Sequence, residues 1–156
     1  MMYVLDTNVV SELRKGRHKA DANVTTWAEC VDAADLFISD ITVMELEQGV
    51  LSIERKDAAQ GAMLRSWLEQ HVLPEFSTRT LPIDTAVAQR CARLHVPDKR
   101  GERDALIAAT ALVHGMAVVT RNEADFKPTG VTVINPWSLQ DTETDPVFTL
   151  HEPGRP

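Results

Sequence analysis

The sequence predicts an α/β fold: a short, mainly parallel central sheet with helices layered on both of its faces. Three observations carry that prediction. Short apolar runs recur along the chain at Met2–Leu5, Leu36–Ser39, Ala117–Thr120 and Val131–Ile134, each of the length expected for a buried strand. Between them, apolar residues recur at three- and four-residue spacing, the pattern of amphipathic helices. Strand and helix alternate, as the long crossovers of a parallel sheet require.

Each element has a local reason. Met2–Leu5 is a strand closed by Asp6, and Thr7–Lys15 is a helix with Val9, Val10 and Leu13 on one side and Gly16 at its end. Gly16–Asp21 is polar and basic, an exposed loop, and Val24, Trp27, Ala28 and Val31 mark a second helix. After Leu36–Ser39, Asp40 is expected to cap the helix bearing Ile41, Met44, Leu46 and Val50. Ala58–Val72 is a long helical pattern, with Pro74 expected just past its end. Thr80–Ile83 is briefly extended, and Asp84-Thr85 opens a helix that places Val87, Cys91 and Leu94 together and stops at Pro97. Asp98–Arg103, charged and containing Gly101, reads as a loop; Asp104 lies in the first turn of the helix ending at His114, with Gly115 as a left-handed stop. Arg121–Gly130 joins the last two strands and carries Asp125 in a loop. Residues 1–138 therefore form one domain, and residues 139–156, rich in Pro and acids, an irregular acidic tail.

The bulk properties exclude several classes. At 156 residues, 44% apolar and 25% charged, the chain suits one globular domain. It has no apolar stretch near the roughly 20 residues of a membrane span. The start Met1-Met2-Tyr3-Val4-Leu5-Asp6 lacks a basic region and a cleavage site, so a cytoplasmic protein is expected, with Cys30 and Cys91 as reduced thiols. The net charge of −7 is the wrong sign for a broad nucleic-acid-binding surface. It points to a small contact area or a separate basic partner.

Four carboxylates stand out: Asp6, Glu45, Asp104 and Asp125 lie where strand gives way to helix or one turn into a helix. In open α/β sheets the functional crevice lies beyond the carboxyl ends of the strands, so helices starting at that edge would bring all four together. Two carboxylates about 4 Å apart repel by roughly 4 kcal/mol at an effective dielectric near 20. Such a cluster persists when protonated, matched by Lys or Arg, or filled by a hard cation such as Mg²⁺ or Mn²⁺. Taken singly, each acid also has a structural reading as a cap or turn residue; Asp84 serves as the control and is assigned only a cap.

The strings Val4-Leu5-Asp6-Thr7-Asn8-Val9-Val10, Ser39-Asp40-Ile41-Thr42-Val43-Met44-Glu45-Leu46, Asp104-Ala105-Leu106-Ile107-Ala108-Ala109-Thr110-Ala111 and Thr120-Arg121-Asn122-Glu123-Ala124-Asp125-Phe126 occur in that order. Together they resemble the PIN-domain ribonucleases, particularly the FitB-like VapC toxins of toxin–antitoxin pairs, over about Met2 to Pro136. The resemblance implies a PIN-like three-layer α/β/α sandwich and a metal-dependent endoribonuclease that inhibits translation. It implies Asp6 as the central ligand of Mg²⁺ (or Mn²⁺), joined by Asp104 and Glu45, with Asp125 completing the site. Thr7, Asn8, Ser39, Thr120 and Asn122 would orient those ligands through hydrogen bonds. Arg100, Arg103 and Arg121 would meet RNA phosphates. The implied partners are a VapB-like antitoxin, operator DNA reached only through that antitoxin, and a second copy of the chain, for which faces around Val50–Leu51 and Met63–Trp67 are candidates.

Other classes lack their parts. The five histidines show no metal-ligand spacing, and there is no Gly-rich phosphate loop, GxSxG or DxD. A receiver domain would need paired acids after the first strand. A catalytically weak subunit acting as co-repressor with a DNA-binding antitoxin is the alternative, and the presence of all four acids speaks against it.

Overall fold

Tyr3, Val4 and Leu5 form the centre of the sheet because their side chains alternate between two apolar faces. In this computed structural model, which describes residues 1–16 and 18–138, Leu5 packs with Val9, Ile38, Leu46 and Val119 on one face. Val4 packs with Ile107, Val118 and Phe126 on the other. The predicted acidic tail lies outside the described residues.

The elements follow as β1 (Tyr3–Leu5), α1 (Thr7–Arg14), α2 (Ala22–Cys30), β2 (Leu36–Ser39), α3 (Asp40–Lys56), α4 (Ala58–Trp67), α5 (Leu73–Glu75), β3 (Thr80–Leu81), α6 (Thr85–Leu94), α7 (Glu102–His114), β4 (Ala117–Val119), α8 (Glu123–Phe126) and β5 (Val133–Ile134). The strand order is β3-β2-β1-β4-β5, and every pairing is parallel. Tyr3 stands opposite Leu36 on one side and Ala117 on the other. The chain runs outward from β1 to β2 and β3, then crosses to β4 on the opposite side. The sheet thus has its topological switch point between β1 and β4, where a crevice opens beyond the strand ends.

Helices cover both faces, as the alternation predicts. On the second face, α7 presents Ala105, Ile107, Ala108, Ala109 and Ala111, all fully buried. These mostly small side chains let α7 lie close to both the sheet and α6, which meets it through Val87 and Cys91. Gly115 stops α7 at φ 66°, the left-handed conformation that a residue with a Cβ avoids.

Three local expectations are corrected. Ser39, not Asp40, caps α3: its Oγ accepts from the N–H groups of Ile41 at 3.1 Å and Thr42 at 3.4 Å. Asp40 is then the first helical residue, where its charge favours the helix dipole. Pro74 does not lie past the helix; it sits inside α5, the final turn. The chain reaches it through a π turn, Leu68–Val72, in which the Leu73 N–H donates to the Leu68 carbonyl. That wider register accommodates a residue with no N–H to give. Asp125 belongs to the short helix α8, not a loop.

Candidate functional site

Asp6 is placed by β1 and held by everything around it. Its N–H donates to the Val119 carbonyl at 2.9 Å, which ties the end of β1 to β4 at the switch point. Its carboxylate caps α1, with Oδ1 accepting from the Thr7 N–H at 2.8 Å. Oδ2 accepts from the Thr120 hydroxyl at 2.8 Å and from Asn8 Nδ2 at 3.3 Å. With only 5% of its surface exposed, Asp6 is a buried acid. Burial raises its pKa, the Thr120 and Thr7 hydrogen bonds oppose that rise, and the charges of Glu45 and Asp125 add to it.

The other three acids gather around it. Glu45, in the second turn of α3, accepts from the Thr7 hydroxyl at 2.8 Å through Oε1, while Arg103 Nη1 approaches its Oε2 at 3.8 Å. Asp104, in the first turn of α7, has its pKa pushed up to about 6, first by burial and then by the charges of Asp6, Asp125 and Glu45. Asp125 is positioned by α8, where its N–H donates to the Asn122 carbonyl at 3.1 Å. Asp104 and Asp125 line a polar cleft of about 250 Å³ together with Lys99, Arg100 and Gly101. Asp6 and Asp104 thus have their proton affinity raised by burial and by the charges of acids carried on other elements.

The proposed supporting residues divide. Thr7, Asn8 and Thr120 touch the acids directly, and Thr120 also accepts from the Asn122 N–H at 3.0 Å. Asn8 Oδ1 accepts from the Arg121 N–H at 3.3 Å, so Asn8 joins the loop after β4 to the helix after β1. Asn122 acts through its backbone. Ser39 uses its hydroxyl to cap the helix that carries Glu45 and makes no hydrogen bond to an acid among the described residues. Thr42 was not foreseen: fully buried, its hydroxyl lies 3.3 Å from that of Thr7. With Thr7 donating to Glu45, the Thr42 hydroxyl is left to donate to Thr7, which fixes the rotamer. The signal was the spacing of Thr42 one turn before Glu45 on the same helix face.

The three arginines also differ. Arg103 pairs with Glu45. Arg100 is drawn back, its Nε donating to the Leu94 carbonyl at 2.9 Å. Arg121 lies over the Trp137 ring at 5.3 Å, an arrangement worth about 0.5–1 kcal/mol at an exposed site.

The donor chemistry fits a hard divalent cation. All four groups are carboxylates; burial first and then neighbouring charge raise the proton affinity of Asp6 and Asp104, and a bound cation would offset both. Among the described residues no three His, Cys, Asp or Glu side chains are grouped closely enough to hold an ion by themselves. Mg²⁺ does not need that, since it keeps several waters and uses one or two carboxylates plus phosphate oxygens.

A second groove adjoins the acids. It shares Thr7 and Glu45 with them and runs past Leu46 and Val50 to Arg14 and Trp67. From there an apolar recess continues to Leu5, Val72 and Phe76. Of the faces expected to serve dimerisation, Val50 is buried while Leu51 and Met63 are exposed. No helix among the described residues is long and apolar enough to cross a membrane.

The PIN domain family model matches residues 3–130. The VapC ribonuclease Y4jK of Sinorhizobium fredii is 37% identical over 141 residues, covering 87% of this chain and 98% of that protein. The crystal structure of FitAcB from Neisseria gonorrhoeae contains a chain that superposes with a TM-score of 0.80 at 35% identity, covering 88% of this chain and 99% of that one. A toxin–antitoxin complex from Klebsiella pneumoniae is similar at a TM-score of 0.61 and 28% identity, over 86% and 97% of the two chains.

Proposed function

This chain belongs to the PIN-domain family, and from that premise we propose that it is a metal-dependent endoribonuclease, the toxin of a toxin–antitoxin pair, which hydrolyses RNA phosphodiester bonds and so inhibits translation. The observation that carries this reading is the raised proton affinity of Asp6 and Asp104 at the switch point, caused by burial and by the charges of the acids around them. Similarity to proteins named as a VapC ribonuclease and a toxin–antitoxin complex supports it.

Asp6, Asp104 and Glu45 would hold Mg²⁺, with Mn²⁺ able to replace it, and Asp125 would complete the site. When bound, the cation supplies Lewis-acid polarisation of the phosphate and neutralises developing charge. The chain's own part is positioning. Asp6 is immobilised by three donors, and Glu45 is aimed by the Thr42–Thr7 pair of hydroxyls. Arg103 partly neutralises Glu45 from the solvent side and is free to turn toward a phosphate. Asp104, with its pKa raised to about 6, is the acid most readily left protonated while the site holds no cation, so metal binding at or below about pH 6 should release a proton.

The groove from Glu45 to Phe76 suits an apolar segment of an antitoxin, with an Arg able to reach the acids in place of the cation. Operator DNA would then be met by the antitoxin and not by this acidic chain. The exposed Leu51 and Met63 favour a homodimer. Incubation of the purified protein with single-stranded RNA in Mg²⁺, Mn²⁺ or EDTA tests the reading. Cleavage that needs the metal and is lost in Asp6→Asn is expected. Equal inactivity of wild type and Asp6→Asn under all three conditions would favour the co-repressor alternative.

A further inference from the structure

The cations of this acidic chain are unevenly placed. From Thr85 to Arg103, through α6 and its loop to α7, five cations (Arg90, Arg93, Lys99, Arg100, Arg103) face two acids, Asp98 and Glu102. From Asp40 to Glu75, through α3, α4 and α5, three cations face seven acids. Their engagement differs as well. Arg65 of α4 is taken up by Glu47 at 2.6 Å and Glu54 at 2.9 Å, and Arg79 by Glu75 at 2.8 Å. Arg90, Arg93 and Lys99 are exposed and have no ion-pair partner among the described residues.

Their placement relative to the acids is set by the hairpin. α6 and α7 pack through Val87, Cys91, Ala105 and Ala109, and the short loop between them returns the chain to the end of α7 that bears Asp104. The last turn of α6, with Arg93, therefore lies at the same end as Asp104. Arg90 is three residues away, on the adjoining turn. Lys99 completes the series by lining the cleft that Asp104 and Asp125 also line. The result is a row of uncommitted positive charge running from the rim of the acid cleft out along α6.

We propose that Arg90, Arg93 and Lys99 form the track of the RNA strand, holding its sugar–phosphate backbone on one side of the bond to be cut. This rests on the ribonuclease reading above. A phosphate strand is repelled by the bulk of a chain with net charge −7 and by the α3–α4 side in particular. The α6 ridge, beside the acids and carrying cations with no ion-pair partner among the described residues, attracts it. Three separated point charges meet phosphates and not base edges, so the track orients the strand without selecting its sequence.

The test uses the full chain carrying Asp6→Asn, so that RNA is not consumed, and a fluorescently labelled single-stranded oligonucleotide followed by anisotropy between about 50 and 200 mM salt. Adding R90E, R93E and K99E should weaken binding at least about tenfold and lower the slope of log K against log salt by about 2, at roughly 0.7 per lost phosphate contact. The neutral set R90Q, R93Q and K99Q should give a smaller loss in the same direction. R55E with K56E, at the far end of α3, should stay within about twofold. Unchanged affinity in both ridge variants overturns the track, as does an equal loss in the α3 control. If the ridge variants keep RNA affinity but lose binding to a polyglutamate peptide, the surface belongs to an acidic protein and the track is wrong. The two readings fail separately: an RNA that wild type cleaves with metal but whose binding ignores the ridge sinks the track alone. Absence of both cleavage and binding in wild type sinks both.

Discussion

Two helical hairpins flank the sheet, and they treat charge in opposite ways. In the α3–α4 hairpin the charges at the helix crossing are closed on one another. Arg65 forks onto Glu47, with Nη1 at 2.7 Å from Oε1 and Nη2 at 2.6 Å from Oε2, and also meets Glu54 and Glu69. The two helices come so close that a Cβ on Gly61 would stand 2.5 Å from the Glu54 Cα. In the α6–α7 hairpin the contact is apolar and made largely of small side chains. Its charges are left open: Asp104 is strained by three like charges, and Arg90, Arg93 and Lys99 stand in solvent. The lesson is that charges spent on joining two helices, as Arg65 is on Glu47 and Glu54, are not open to a ligand, whereas a hairpin held by alanines leaves more of its charges available.

The strongest way to break this comparison is Asp104→Asn. Cleavage should fall by on the order of a hundredfold or more, since changes even to groups behind metal ligands cost about 10- to 100-fold in metal affinity or activity. The metal-free protein should not become less stable. Asp104 is held at about 6 against an ordinary 3.8, so the folded state keeps a proton that the unfolded chain gives up. Its contribution to stability is therefore full below its ordinary value, declines as pH rises between 3.8 and about 6, and is a penalty at neutral pH. Asp104→Asn should raise the metal-free Tm at neutral pH, and the gain should disappear in acid. A fall in Tm at neutral pH would make Asp104 a structural residue like those of α3–α4.

Gly61→Val probes the opposite hairpin. A Cβ meeting backbone cannot be relieved by rotating a side chain, so overpacking should cost about 1–3 kcal/mol or more, read by urea denaturation. Cleavage per folded molecule should stay near that of wild type. Selective loss of cleavage with unchanged stability would show that the α3–α4 crossing reports directly to Glu45. A smaller loss is expected from Arg65→Lys. A lysine cannot reproduce the fork that joins the helices, and the deficit against wild type should shrink in high salt as exposed charges are screened.

The two hairpins were not equally legible in the sequence. Asp6, Asp104 and the stop at Gly115 could be read because each marks a change of backbone conformation that few residue types suit. The convergence of the acids was legible because a parallel sheet sends all its helices off from one edge. What distinguishes the hairpins was not legible. Nothing in the string around Gly61 says which backbone it will approach, and Arg65 finds Glu47 and Glu54 only once α3 and α4 are antiparallel. Likewise Arg93 and Lys99 look like ordinary solvated charges until the hairpin brings them to the end that bears Asp104. Ser39 and Asp40 are both good caps, and only the extended backbone of Ser39, at φ −96° and ψ 162°, decides between them. Pro74 falls inside the final turn and not past it because the π turn before it, which has no clear sequence sign, leaves a place for a residue without an N–H.

The smallest expected effect tests the comparison most finely, because it lies on the open hairpin and touches no ligand. Asp84 caps α6 by accepting from the Val87 N–H at 3.0 Å, the same kind of bond that Asp6 makes to the Thr7 N–H. Asp84 differs in being exposed and in not being among the charges that raise the pKa of Asp6 or of Asp104. Asp84→Ala should therefore cost about 1 kcal/mol, the ordinary value of a lost cap, with cleavage and RNA affinity unchanged. Asp6→Asn keeps its cap, since the amide oxygen can still accept from the Thr7 N–H, and sheds one buried charge while turning an NH2 toward the Thr120 hydroxyl and Asn8 Nδ2; it should abolish cleavage. If Asp84→Ala also impaired cleavage, the start of α6 would be coupled to the acids, and the open hairpin would be no freer of structural duty than the closed one.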